Sequence, residues 1–315
     1  MPVFSFLLCN LGICLIIGMI LAIRHIFRNQ LSSRTQYHLW FLLLGLLAVP
    51  FLPLKFSGWP LLLSRLNAAR LPSSSGMGAA PQTAARLAEA VSGEWLHDFS
   101  VSAEGQTPGF LAFLLLAVWL CGILVSLFFA ASSGIRLYRV RQAALPLENP
   151  MVKSLYRQCL KEAKIRREIP VYSTAFLQSP VITGLFSPRI YLPLALISDG
   201  NRAQLRYILL HELQHYRHRD AAANALAALA GTIYWFHPLV RYALGEMRND
   251  REVACDTAVL GLLREQEYED YGNTLIQFAQ RRSHWPAPFA ASMGGSQKQM
   301  QKRIQNIAFY QTPSR

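Results

Sequence analysis

His211-Glu212-Leu213-Gln214-His215 is where the sequence concentrates reactive side chains. Two histidines four residues apart on a helix project from one face and can share a zinc ion, which places the intervening glutamate beside a metal-bound water. Zinc lowers the pKa of such a water towards neutrality, so Glu212 can accept its proton during attack on a peptide carbonyl and hand it to the leaving amine. The pattern also arises on solvated helices, and the third ligand decides between the two readings. In NDREVACDTAVL, residues 249–260, Glu252 and Asp256 lie four apart on a second helical pattern, with both carboxylates on one side. Read alone, that stretch is a charged surface helix; read with the histidine pair, it supplies the missing ligand. The expected site is therefore His211, His215 and Glu252 on Zn2+, Glu212 as catalytic base, and Asp256 accepting a ligating ring N–H. Asp220 either orients a ring in the same way or caps the next helix. His218 and His237 compete as ligands, but a glutamate completes the set without them.

These helices need a setting, and the composition indicates a membrane. Of 315 residues, 52% are hydrophobic and 16% charged, far from the soluble average. Residues 3–23 form an apolar run long enough to cross a bilayer, followed by runs at 38–56 and 109–132. Met1-Pro2 supplies no positive charge ahead of the first run, which argues against a cleaved signal peptide. Arg24, His25, Arg28 and Arg34 crowd the first connection without an acid, whereas residues 55–108 balance four basic with four acidic residues. The positive-inside rule then puts the first connection in the cytoplasm, the loop 57–108 outside, and residues 136–315 back in the cytoplasm. The expected division is a transmembrane region, 1–135, and a cytoplasmic protease domain, 136–315.

The net charge of +13 fits a domain facing anionic lipid, and no basic-aromatic module suggests direct nucleic-acid binding. Cys9, Cys14, Cys121, Cys159 and Cys255 are odd in number and lack paired spacing, so they read as reduced and structural. Within the second half, residues 150–168 look helical. PVYSTAF, PVITGLF and PRIYLP predict a sheet of two or three strands, and Ser198 or Asp199 could cap the motif helix. The apolar stretch 221–244 would put Glu252 across the membrane from His211 if it spanned, so it is expected to fold as a hairpin broken near Trp235–Pro238. A last helix is expected over 297–309. The predicted fold is mainly α: several transmembrane helices with a gluzincin-like α+β zinc protease domain carrying a small sheet.

LWFLLLGLLAVPFLP, SPVITGLFSPRIYLP, HELQHYRHRD, WFHPLV and REVACDTAVL, in this order, resemble the BlaR/MecR family of bacterial membrane signal-transducing metalloproteases. The resemblance implies a multi-pass protein of the bacterial cell membrane, with zinc on His211, His215 and Glu252, Glu212 catalytic, and Asp256 in support. It also implies a cytoplasmic repressor as substrate, an antibiotic or cell-wall signal, self-cleavage within 289–296, and a homodimer as one form of assembly. Family receptors continue into an extracellular penicillin-binding sensor; residues 1–315 carry none of its SxxK, SDN or KTG motifs. The expectation is thus a protease portion without that sensor. The competing reading is a catalytically quiet membrane scaffold that binds a partner and uses zinc structurally. An intramembrane protease is disfavoured by Arg202, Arg206, Arg217 and Arg219 around the motif, and a transporter by the lack of polar residues in the spans.

Overall fold

The structure, a computed structural model, describes residues 2–27, 32–48, 109–177, 179–199, 201–283 and 293–310. Three long helices come first: α1 (Pro2–Ile26), α2 (Ser33–Ala48) and α3 (Phe110–Gln142). α2 begins five residues before the apolar run at His38, because the Ser32 hydroxyl accepts the Thr35 amide at 3.2 Å and caps a polar first turn. The end of that run and the loop 57–108 lie outside the described residues.

α3 continues ten residues beyond Ser132, to Gln142. No proline intervenes and the single Gly134 is tolerated within the helix, while the added turns carry Arg136, Arg139 and Arg141, which need water rather than lipid. Its stretch Phe113–Gln142 is long and apolar enough to cross a membrane, and its apolar face is unburied. Among the described residues this is one such helix where three spans were expected; Asn10–Arg24 of α1 qualifies as a shorter apolar helix.

Two hydrophobic cores follow. The first gathers Ile17 and Ile20 of α1 and Tyr37, Trp40, Leu43 and Leu47 of α2 against α7 (Asp220–Ile233) and the first half of α8 (Pro238–Leu260). The chain turns at Tyr234–His237, between α7 and α8. There, Pro238 occupies the first helical turn and the His237 ring accepts the Val240 amide at 3.3 Å. α3 rests against this corner: the Trp119 indole donates to the Ile233 carbonyl and the Trp235 indole to the Trp119 carbonyl. A Cβ on Gly122 would fall 2.0 Å from the Trp235 ring, so only glycine permits this approach.

The second core joins α4 (Pro150–Glu162), the sheet, α6 (Arg202–Arg217), the end of α8, α9 (Tyr268–Ser283) and α10 (Met293–Ala308). α4 buries Val152, Leu155, Tyr156, Cys159 and Leu160 at helical spacing, and it stops at Glu162, short of the predicted 168. The sheet has four strands in the order β1 (Leu145–Pro146), β2 (Val171–Thr174), β4 (Arg189–Pro193), β3 (Val181–Thr183). β2 and β4 run parallel and the outer pairs antiparallel. β1 escaped the sequence reading because two residues carry no alternation to detect.

β3 and β4 are joined through Gly184 at φ +106, where a Cβ would strike the Ser187 carbonyl. Residues 194–198 form a short helix, α5, so neither Ser198 nor Asp199 caps α6; Asn201 does, accepting the Gln204 amide at 3.1 Å. α10 begins at Met293 rather than 297, which makes the end of the small-residue stretch 289–296 helical, while 289–292 lie outside the described residues.

Candidate metal centre

α6 brings His211 and His215 to one face, and α8 crosses it so that Glu252 comes up between them. The His211 and His215 Nε2 atoms are 3.1 Å apart, and Glu252 Oε2 lies 3.6 Å from the first and 3.8 Å from the second. Ligands about 2.0–2.1 Å from a tetrahedral zinc are roughly 3.3–3.4 Å from one another, so the triangle needs only small adjustments to close on an ion.

The opposite nitrogens explain why these rings face inward. His211 Nδ1 is 3.2 Å from Asp256 Oδ1 and 3.0 Å from the Tyr271 hydroxyl, which itself donates to Asp256 Oδ1 at 2.6 Å. His215 Nδ1 is 2.7 Å from Asp220 Oδ2. Each ring can therefore give an Nδ1 proton to the carboxylate behind it and turn Nε2 towards the other ring and towards Glu252. With both Nε2 atoms unprotonated, these three acceptors would repel one another unless a cation, whether a proton or a metal ion, lay between them, and a carboxylate behind each histidine is what metal sites use.

Charges around the centre follow. Burial disfavours the His211 imidazolium, but hydrogen bonds to Asp256 and Glu252 outweigh it and raise its pKa to about 9. In the metal-free protein, a proton thus occupies the place of the cation. Burial acts against the Glu252 carboxylate too, yet His211, His215 and Arg303 hold it well below the ordinary range. Asp256, fully buried, is likewise opposed by burial but brought down to about 2, chiefly by Arg303, which grips it bidentately at 2.6 and 2.8 Å. Glu212 differs: burial raises its carboxyl above the usual value against the pull of both histidines, which suits a group that must take up a proton.

The Ile182 amide of β3 also reaches Glu212. β3 is an edge strand, and with Glu212 and the histidines it lines a cleft of about 2180 Å³ that Phe186 and Phe278 also border. An extended chain laid along β3 within this cleft would pass close to Glu212.

Asp220 contacts a ring and is not a cap; the preceding Arg219, in left-handed conformation at φ 58, swings it under His215. His237 caps α8 away from the centre. His218 ends α6, with Nδ1 3.6 Å from Cys255 Sγ, and does not join the triangle. Cys255, His215 and Asp220 form a second close group. Its thiol is pushed well above its ordinary pKa by burial and then by Asp220, and it donates to Asp220 Oδ2 at 3.4 Å, so it behaves as a hydrogen-bond donor rather than a ligand.

Arg303, Tyr271, Tyr37 and Cys255 were missed by the sequence reading. The only local hint was Cys255 beside Asp256; the others come from helices far along the chain.

A helical chain with a histidine-histidine-glutamate centre under an edge strand is arranged like a membrane-associated metallopeptidase. The family model for the BlaR1 peptidase, M56, matches residues 4–307, and the chain belongs to that family. Among its curated relatives, the regulatory protein BlaR1 of Bacillus licheniformis is 27% identical over 98% of this chain and 51% of its own length. The methicillin resistance mecR1 protein of Staphylococcus aureus is 22% identical over 97% of this chain and 52% of its own length. The chain thus spans about half the length of the relatives it matches.

Proposed function

We propose that this protein is a multi-pass membrane zinc endopeptidase of the signal-transducer type, which hydrolyses a cytoplasmic transcriptional repressor. The convergence of two Nε2 atoms and the Glu252 carboxylate, each ring backed by its own carboxylate, carries the proposal. Zinc held there supplies Lewis acidity and an acidified water. Glu212 takes the proton and delivers it to the departing amine. The β3 edge aligns the substrate backbone, and Asp256 and Asp220 keep the ligating nitrogens aimed at the ion.

The topology proposal, with α1, α2 and α3 as spans, has its own support. Arg24 near the end of α1 and Tyr37 near the start of α2 both contact the helices that carry the centre. The end of α1 and the start of α2, which flank the basic first connection, thus meet the helices around His211 and His215, which supports putting that connection on the same side as the centre. Self-cleavage within 289–296 would relay the same signal.

The test uses full-length protein in detergent, with zinc measured per chain and a purified candidate repressor as substrate. Wild type should hold about one zinc and cut the repressor, Glu252→Ala should lose the metal, and Glu212→Gln should keep the metal and cut nothing. Zinc that survives Glu252→Ala would sink the ligand set. A zinc-loaded wild type that leaves the repressor intact would favour the scaffold reading.

A further inference from the structure

The second helix sends a polar side chain into the support of the centre. Tyr37, 2% exposed, donates its hydroxyl to Asp220 Oδ1 at 3.1 Å, while Asp220 Oδ2 receives the His215 ring at 2.7 Å. Asp220 is itself only 3% exposed, so water does not replace Tyr37 on that oxygen. We propose that Tyr37 is a positioning residue of the metal centre, acting through Asp220 on His215, so that the seating of α2 against α7 and α8 sets how tightly the metal is held. The proposal rests on the zinc reading above.

A second tie shows that α2 is seated by design of its polar residues rather than by grease alone. One turn on from Tyr37, the Trp40 indole donates to Asp250 Oδ2 at 2.7 Å, and Arg24 of α1 reaches the same oxygen at 2.5 Å while lying 4.7 Å over the Trp40 ring. Lys302 of α10 takes the other Asp250 oxygen at 2.9 Å. Asp250 thus ties α1, α2 and α10 to the helix that carries Glu252, and the neighbouring Arg303 grips Asp256. A displacement of α2 by about an ångström would stretch the Tyr37 bond beyond hydrogen-bond range, and the effect would arrive at His215 and not at His211. By linkage, metal binding would in turn favour the seated position of α2.

The test compares wild type, Tyr37→Phe, Trp40→Phe, Asp220→Asn and the double variant Tyr37→Phe/Asp220→Asn, all as full-length protein in detergent. Zinc affinity is measured by competition with a chelator of known affinity, and the thermal midpoint of the metal-free form is recorded alongside. Loss of a carboxylate behind a ligating histidine costs about 10–100-fold in affinity, and Tyr37→Phe, one bond further out, should cost roughly threefold to tenfold. Trp40→Phe should lower the midpoint at least as much but weaken zinc binding less than Tyr37→Phe does, because the Tyr37–Asp220 bond can still form once the Asp250 tie is lost. The double variant should bind no more weakly than Asp220→Asn, since the two act in series.

Unchanged affinity in Tyr37→Phe, equal losses in Tyr37→Phe and Trp40→Phe, or additive losses in the double variant would each overturn the proposal while leaving the zinc site intact. A wild type that takes up no zinc would overturn the site itself, and with it this inference.

Discussion

His211 and His215 sit on the same helix four residues apart, yet the structure supports them in different ways. Each ring rests on a buried carboxylate that also receives a tyrosine hydroxyl: Asp256 and Tyr271 behind His211, Asp220 and Tyr37 behind His215. On the His211 side the carboxylate is further clamped by the Arg303 guanidinium, 11% exposed, in a bidentate pair. On the His215 side, among the described residues, the additional hydrogen-bond donor to the carboxylate is the Cys255 thiol, with the Arg251 guanidinium near enough to act on Asp220 through its charge. One support is an ion pair built from α8, α9 and α10; the other is a set of uncharged donors, one of which belongs to α2. The difference teaches that the proposed metal site is backed by charge on one side and by uncharged donors on the other, and that the side backed by uncharged donors is the one in contact with α2.

The comparison breaks most visibly at its strong side. Asp256→Ala removes the bidentate partner of the buried Arg303 and leaves it only Glu252 at 3.7 Å. Loss of one member of a buried pair costs about 3–5 kcal/mol, and chemical denaturation of the metal-free protein should show a loss at the lower end of that range along with weakened zinc binding. Asp220→Asn should reverse the balance: zinc affinity falls about 10–100-fold while stability changes far less than in Asp256→Ala. Equal stability losses in the two variants would erase the distinction between the two sides.

Acidity separates stability from metal binding. Asp256 is held near 2, below its ordinary value, so its contribution is complete above the unfolded value and lost as pH falls through about 2. His211 in the metal-free protein is raised to about 9, so its contribution is complete below about 6.5 and lost as pH climbs through 9. The thermal midpoint of the metal-free protein should therefore fall between pH 7 and 10, and the zinc-loaded protein, whose His211 carries no exchangeable Nε2 proton, should lack that fall. The smallest effect belongs to Cys255→Ala: a weak donor is lost, and zinc affinity should change by less than about twofold.

The chemistry-bearing residues were legible because each pair is local. His211 with His215, and Glu252 with Asp256, sit one helical turn apart, so spacing alone puts each pair on one face. The break between α7 and α8 was legible for a similar reason, since Pro238 ends one helix and begins the next. Helix ends were less legible: α3 overran its apolar run because no proline follows Ser132 before Gln142, and α6 took Asn201 rather than Ser198 or Asp199 as its cap because α5 contains Ser198 and ends on Asp199 as its C-cap. β1 was invisible, being two residues that become a strand only by pairing with β2.

By itself, then, the sequence determined which side chains stand on which helical face, where apolar runs demand lipid or a core, and which residue types a zinc centre would use. These are consequences of helical periodicity and side-chain chemistry, which act over a few residues. Only the tertiary structure decided which distant groups stand behind those side chains. Tyr37 meets Asp220 across 183 residues and Arg303 meets Asp256 across 47. No local pattern encodes such meetings: they follow from how α2 and α10 pack on α8, where burial makes a carboxylate take whatever donor the fold brings within reach.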